Sequence, residues 1–154
     1  MKLNYFLIPL AAIAVAVLGG MLTSGDMTWY KTIKIPSWAP PGAVIGMVWT
    51  TIFTLTAIAA LLVWNKMPHT GTFWWIAAIF VLNGILNVFW SYLFFNQHLL
   101  SVAGWEAALL DASVIALIIL IWPVSRLAAV LLLPYAGWTA FATYLTFLIS
   151  KLNN

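Results

Sequence analysis

The chain has 154 residues, room for one domain, and is 65% hydrophobic and only 6% charged, with a mean hydropathy of +1.07. Soluble domains are about 25% charged and about 45–50% apolar, and a small fold cannot hide this much apolar surface, so a soluble enzyme and a disordered chain are both excluded. The net charge of +3 is scattered without a basic patch, which excludes nucleic acid as a partner, and the lack of cysteine removes disulfides, thiolate catalysis and Cys-ligated metals.

What remains is an all-α membrane protein. A helix needs about 20 apolar residues to cross about 30 Å of hydrocarbon. Apolar runs separated by polar breaks predict five transmembrane helices, at about 5–23, 43–64, 71–95, 102–122 and 127–149. The long ungapped runs favour helices over barrel strands, which would alternate. Lys2 before an apolar run mimics a signal peptide, but the run continues through Met21-Leu22, so it is read as an uncleaved first span. The loop 24–41 is the only long one; the other connections are tight and make their helices antiparallel neighbours. Five spans put the termini on opposite sides. Side A, the N-terminal side, holds Lys2, Lys66 and Arg126, and side B holds Lys31, Lys34 and Lys151, so the positive-inside rule sets no orientation.

Polar groups inside a span are costly and call for a partner or a task. On the third span Asn83, Asn87 and Ser91 recur every four residues and form one stripe, with Trp90 beside it. By helix rise, Asn87 lies about 12 Å from side B, Glu106 about 6 Å, Asp111 about 14 Å and Trp49 about 9 Å. Trp138 sits at the middle of the fifth span, with Tyr135 and Ala142 on its face, just beyond the helix-disturbing Pro134. The loop 24–41, also on side B, carries Trp29, Tyr30, Trp38 and Pro36, Pro40 and Pro41. These placements predict a pocket among the helices, open toward side B and roofed by that loop.

Plainer readings stand beside this one. Trp64, Trp74, Trp75, Trp105 and Trp122 lie near span ends and read as interface anchors. The Asn stripe and Trp138 serve either as interhelical glue or as ligand contacts, and Asp111 either stabilises helix contacts or lines the pocket. His69 and His98 are loop residues without a second metal ligand at suitable spacing. Gly104, Ala108, Ala112 and Ala116, and likewise Ala12, Ala16 and Gly20, form small-residue faces that suit either internal packing or a homodimer.

The stretch from Trp29-Tyr30 to Pro36-Ser37-Trp38-x-Pro40-Pro41, followed by Val48-Trp49-Thr50, resembles the tryptophan-rich sensory protein/translocator protein (TspO/MBR) family. So do Leu86-Asn87-x-x-Trp90-Ser91, Phe94-Phe95, Asp111 and Pro134-Tyr135-x-x-Trp138-x-x-Phe141-Ala142-Thr143. The resemblance covers nearly the whole chain, in order. It implies a five-helix protein of the bacterial cell membrane, often homodimeric. It also implies binding of porphyrins such as protoporphyrin IX and of isoquinoline carboxamide or benzodiazepine-type ligands. Some bacterial members promote light- and oxygen-dependent breakdown of the pigment.

The family's pocket maps onto Trp49, Asn87, Trp90, Trp138 and Ala142 beneath the loop. Tyr30, Trp38, Phe53, Asn83, Asp111 and Tyr135 complete the candidate ligand-binding set, with Trp49 and Trp138 as candidate photochemical residues. No obligatory cofactor or metal is expected; the porphyrin is ligand or substrate. The chain departs from the family pattern at Ile35, Phe53 and Asn83, and at Leu145-Thr146-Phe147, where six residues separate Tyr144 from Lys151.

Two functions from different classes compete, beside a third in which the protein is structural or partner-binding and its aromatics only pack. One is a tetrapyrrole-binding sensor whose bound pigment carries the photochemistry, since no nucleophilic triad or acid–base dyad is present. The other is a small transporter of porphyrins or other apolar metabolites. The lack of an internal repeat weighs against the transporter, and the intramembrane Glu106 and Asp111 favour it.

Overall fold

The computed structural model describes residues 2–153. Five stretches are long and apolar enough to span a bilayer: Asn4–Ser24, Gly42–Lys66, Gly71–Asn96, Leu100–Ile121 and Arg126–Asn153. The first is helix α1 (Asn4–Ser24), which keeps Pro9 in its interior. A one-turn helix α2 (Met27–Tyr30) follows, then α3 (Gly42–Lys66), which begins directly after Pro41. α4 (Gly71–Ser91) passes into a π-helical turn, Tyr92–Asn96. α5 (Leu100–Ile121) is unbroken. The last span is two helices, α6 (Arg126–Leu131) and α7 (Leu133–Asn153), parted at Leu132. Pro134 has no N–H to give to the carbonyl one turn earlier, which accounts for the interruption. The expected spans agree with these to within a few residues, and the last runs on to Asn153.

The helices close into a ring: α1 packs on α3 and α4, α4 on α5, α5 on α7, and α3 on α6. Small residues set the tightest approaches. A Cβ added at Gly104 would stand 2.7 Å from the ring of Phe147, and one at Gly84 would stand 3.1 Å from Val15. The small-residue face of α5 therefore serves internal packing at its Gly104 end, while Ala112 is exposed. On α1 the buried small residue is Gly19; Gly20 is exposed and has open space around it.

At side A the ring is stitched by hydrogen bonds: Asn4 donates to Asn65 at 3.3 Å, Asn65 donates to the Tyr5 hydroxyl at 3.2 Å, and Lys66 donates to Ser125 at 3.4 Å. At side B the long loop is held at three places. Asp26 caps α2 by accepting from the Trp29 N–H at 3.0 Å, and its other oxygen pairs with His98 Nε2 at 3.0 Å. The amide of Asn153 makes two bonds with the backbone of Lys34, at 2.8 and 2.9 Å. Trp38 stacks on Tyr144, with centroids 6.2 Å apart, and packs against Phe141.

Candidate functional site

A directed chain of hydrogen bonds crosses the middle of the ring. The Asn87 amide donates to the Tyr135 hydroxyl at 3.2 Å, and that hydroxyl donates to Asn83 Oδ1 at 2.9 Å. The Asn83 amide donates to the Ser113 hydroxyl at 2.8 Å, which donates to the Leu110 carbonyl at 2.6 Å. All four side chains are buried, on α4, α5 and α7. The i, i+4 spacing puts both asparagines on the inward face of α4, and the start of α7 after Pro134 brings Tyr135 between them. Each donor is polarised by the next, which strengthens such chains in a low-dielectric interior.

A groove of about 790 Å³ reaches this chain from between α1, α3 and α4; unlike the expected pocket, open toward side B and roofed by the loop 24–41, it has no lining residue from that loop. Phe53, Thr56, Asn83 and Tyr135 are among its lining residues, together with apolar residues of α1 and α4. Of the candidates from the sequence, Phe53, Asn83 and Tyr135 line this groove directly. Trp49 stands one turn nearer side B, stacked on Phe53 at 5.4 Å and edge-on to Tyr135 at 5.9 Å. Trp138 belongs to the same apolar cluster as Trp49 and Tyr135, and its ring lies 5.4 Å from Phe141.

The remaining candidates lie in three other places. Trp90 stacks on Phe94 at 5.1 Å, and Tyr30 packs on Phe94 and Phe95, in a cluster under the loop. Burial there pushes the Tyr30 phenol above its ordinary pKa. Asp111 accepts from the Thr139 hydroxyl at 2.6 Å, a bond between α5 and α7. Ala142 gives its carbonyl to Thr146 within α7, and Trp38, half exposed, covers Phe141 and Tyr144. The sequence-derived set is therefore split between the groove, the aromatic wall beside it, the cluster beneath the loop and the α5–α7 seam.

Several buried polar atoms have no partner among the described residues: Trp90 Nε1, Trp138 Nε1, Thr56 Oγ1 and both carboxyl oxygens of Glu106. Asn83 faces Ser113 across antiparallel helices. Counting seven residues from each toward side B reaches Trp90 and Glu106, so register puts these two opposite one another about 10 Å nearer side B. Glu106 is a member of the side-B polar group that the candidate set omits. Its charge inside an apolar span was the available signal. Thr56 left no such mark, since a threonine in a span ordinarily bonds its own helix.

A ring of five spanning helices with an apolar groove, a central polar chain and aromatic walls defines a multi-pass integral membrane protein with an intramembrane groove. The chain belongs to the TspO/MBR family, whose model matches residues 7–152. It is 39% identical over 129 residues to the Tryptophan-rich protein TspO of Bacillus cereus, covering 83% of this chain and 82% of that one. It is 38% identical over 136 residues to the Uncharacterized membrane protein YtaB of Bacillus subtilis, covering 87% and 86%. The human Translocator protein is 30% identical over 141 residues, covering 88% and 82%. These bacterial relatives, with the five spans, assign it to the bacterial cell membrane.

Proposed function

We propose that the protein binds a tetrapyrrole of the protoporphyrin IX type within the membrane and promotes its light- and oxygen-dependent breakdown. The observation that carries this reading is the aromatic array Phe53–Trp49–Tyr135 set against the groove and its polar chain. Flat conjugated ligands suit aromatic walls, because a favourable ring pair adds about 0.5–1.5 kcal/mol beyond burial. Isoquinoline carboxamide and benzodiazepine-type ligands, also flat and aromatic, belong to the same reading.

In the photochemical step the pigment absorbs the light, dioxygen is the oxidant, and the protein positions the pigment. Indole is the most readily oxidised aromatic side chain, which makes Trp49 and Trp138 the residues of interest. The homodimer implied by the sequence resemblance is part of the proposal, and cross-linking in the bilayer tests it.

A second reading, a small transporter, rests on Glu106, a carboxyl inside the membrane without a hydrogen-bond partner among the described residues. Titrating protoporphyrin IX into the detergent-solubilised protein in the dark separates the readings when paired with flux in proteoliposomes. Saturable quenching of tryptophan fluorescence without flux supports the binding protein. Flux that is lost in Glu106→Gln supports the transporter, and neither quenching nor flux rejects both.

A further inference from the structure

The side-A end has features that tetrapyrrole binding does not use. Lys2, Lys66 and Arg126 all lie there, whereas Asp26 is on side B and Glu106 and Asp111 are inside α5, so this end holds three cations and no carboxylate side chain. Lys66 is engaged by Ser125. Lys2 lines an open cleft of about 600 Å³ with Asn4, Trp64, Asn65 and His69. The His69 ring approaches the Trp64 carbonyl at 3.3 Å and packs on Phe73, which makes it a wall of the cleft.

Asn4 and Trp64 also line the apolar groove, so cleft and groove meet. Along α1 the groove runs from Asn4 to Leu22, about 27 Å by helix rise. That is nearly the thickness of the hydrocarbon layer, about 30 Å. The combined site has a cationic polar mouth at the interface and a long apolar slot below it. The tetrapyrrole proposed above, set against Trp49, Phe53 and Tyr135, leaves the side-A part of this slot to another occupant. An extended acyl chain with an anionic head matches the charge and, reaching through one leaflet or about 15 Å, fills the side-A half of the slot.

We propose that the cleft and groove hold one acyl chain of an anionic phospholipid, its phosphate at Lys2 and its chain along α1 between α3 and α4. One lysine near a membrane surface favours an anionic lipid about fivefold, and added salt weakens the preference. Head-group preference arises at Lys2, and chain binding arises in the groove, so the two are separable.

The test uses the full chain in nanodiscs of phosphatidylcholine doped with a lipid brominated on its acyl chain, which quenches nearby indoles. Subtracting the signal of Trp64→Phe isolates the indole at the junction of cleft and groove. Brominated phosphatidylglycerol is expected to quench this component at about one-fifth the mole fraction that brominated phosphatidylcholine requires. Lys2→Glu, an exposed substitution that leaves the bundle intact, is expected to abolish the preference, and Ala60→Phe, which fills the groove, is expected to remove the quenching by either lipid. Equal quenching by the two lipids, or a preference unchanged in Lys2→Glu, would overturn the proposal. Relief of quenching by inorganic phosphate would make the cleft a site for the free anion and would overturn it equally.

Discussion

Asn83, Asn87 and Tyr135 hold α4, α5 and α7 in register through one chain of hydrogen bonds. Tyr135→Phe keeps the ring and removes the hydroxyl that both asparagines use. It should lower stability in detergent by about 1–2 kcal/mol, since interhelical hydrogen bonds in membranes are modest but unpaired buried amides are not. Thermal unfolding followed by circular dichroism checks this, and an unchanged midpoint would mean that the asparagines find other partners. Asn87→Ala tests the link to function. It is expected to weaken tetrapyrrole binding by about 0.5–1.5 kcal/mol, the range for one lost hydrogen bond, with the fold retained. Affinity equal to wild type in dark titrations would take Asn87 out of the binding region.

The asparagine stripe was legible as a stripe because helical periodicity needs no tertiary information. Its partners were not, because only the break at Leu132 brings Tyr135 between the two amides. Gly19 shows the same limit. The every-fourth-residue pattern pointed to Ala12, Ala16 and Gly20, yet α1 is turned so that Gly19 is the residue next to Asn87 and Ser91. One residue of rotation is about 100° around the helix axis, and an apolar helix carries little pattern to set it.

Two elements act on the site from its edges. The first is the loop at side B, held by Asp26–His98, by Asn153 on the Lys34 backbone and by Trp38 on Tyr144. His98 takes a positive φ of 56°, sparsely populated for a residue with a side chain, and it stacks on Trp29 with centroids 3.9 Å apart. The π-helical turn Tyr92–Asn96 precedes it, and such turns often mark functional regions. Asn153→Ala removes two bonds to the loop and should raise the ligand off-rate more than it lowers the on-rate, as is usual among related complexes. Stopped-flow dissociation reads this directly; an off-rate equal to wild type would mean that the loop does not cover the ligand.

The second element is the α5–α7 seam. Gly104→Ala would put a methyl 2.7 Å from the Phe147 ring, so it should cost about 1–3 kcal/mol through overpacking. Phe147→Leu in the same chain is expected to recover part of the loss. The small-residue face was visible in the sequence, but its partner was not, because neither helix carries a motif that names the other.

Across the whole molecule, hydropathy alone located five spans and the one long loop, because the bilayer forces every buried backbone group into a helix. Depth arithmetic gathered the unusual residues toward side B, and Trp49, Phe53, Asn83, Asn87, Tyr135 and Trp138 do meet near the centre of the ring. It had no means of foreseeing that the groove would open between α1, α3 and α4, since cavities depend on helix rotation and tilt. Trp49 and Trp138 are the residues on which the proposed chemistry turns. Trp→Phe at each keeps a ring and most of the buried area, so dark binding of protoporphyrin IX should change little. It removes the oxidisable indole, so breakdown under light should fall much further, the pattern of a residue used in the reaction and not in ground-state binding. The decisive measurement is the bleaching rate of bound protoporphyrin IX under illumination in Trp49→Phe and Trp138→Phe, each at saturating occupancy set by dark titration. The account predicts a rate reduced well below wild type in both; bleaching at the wild-type rate in both would show an inert pocket around a self-sensitising pigment and would contradict it.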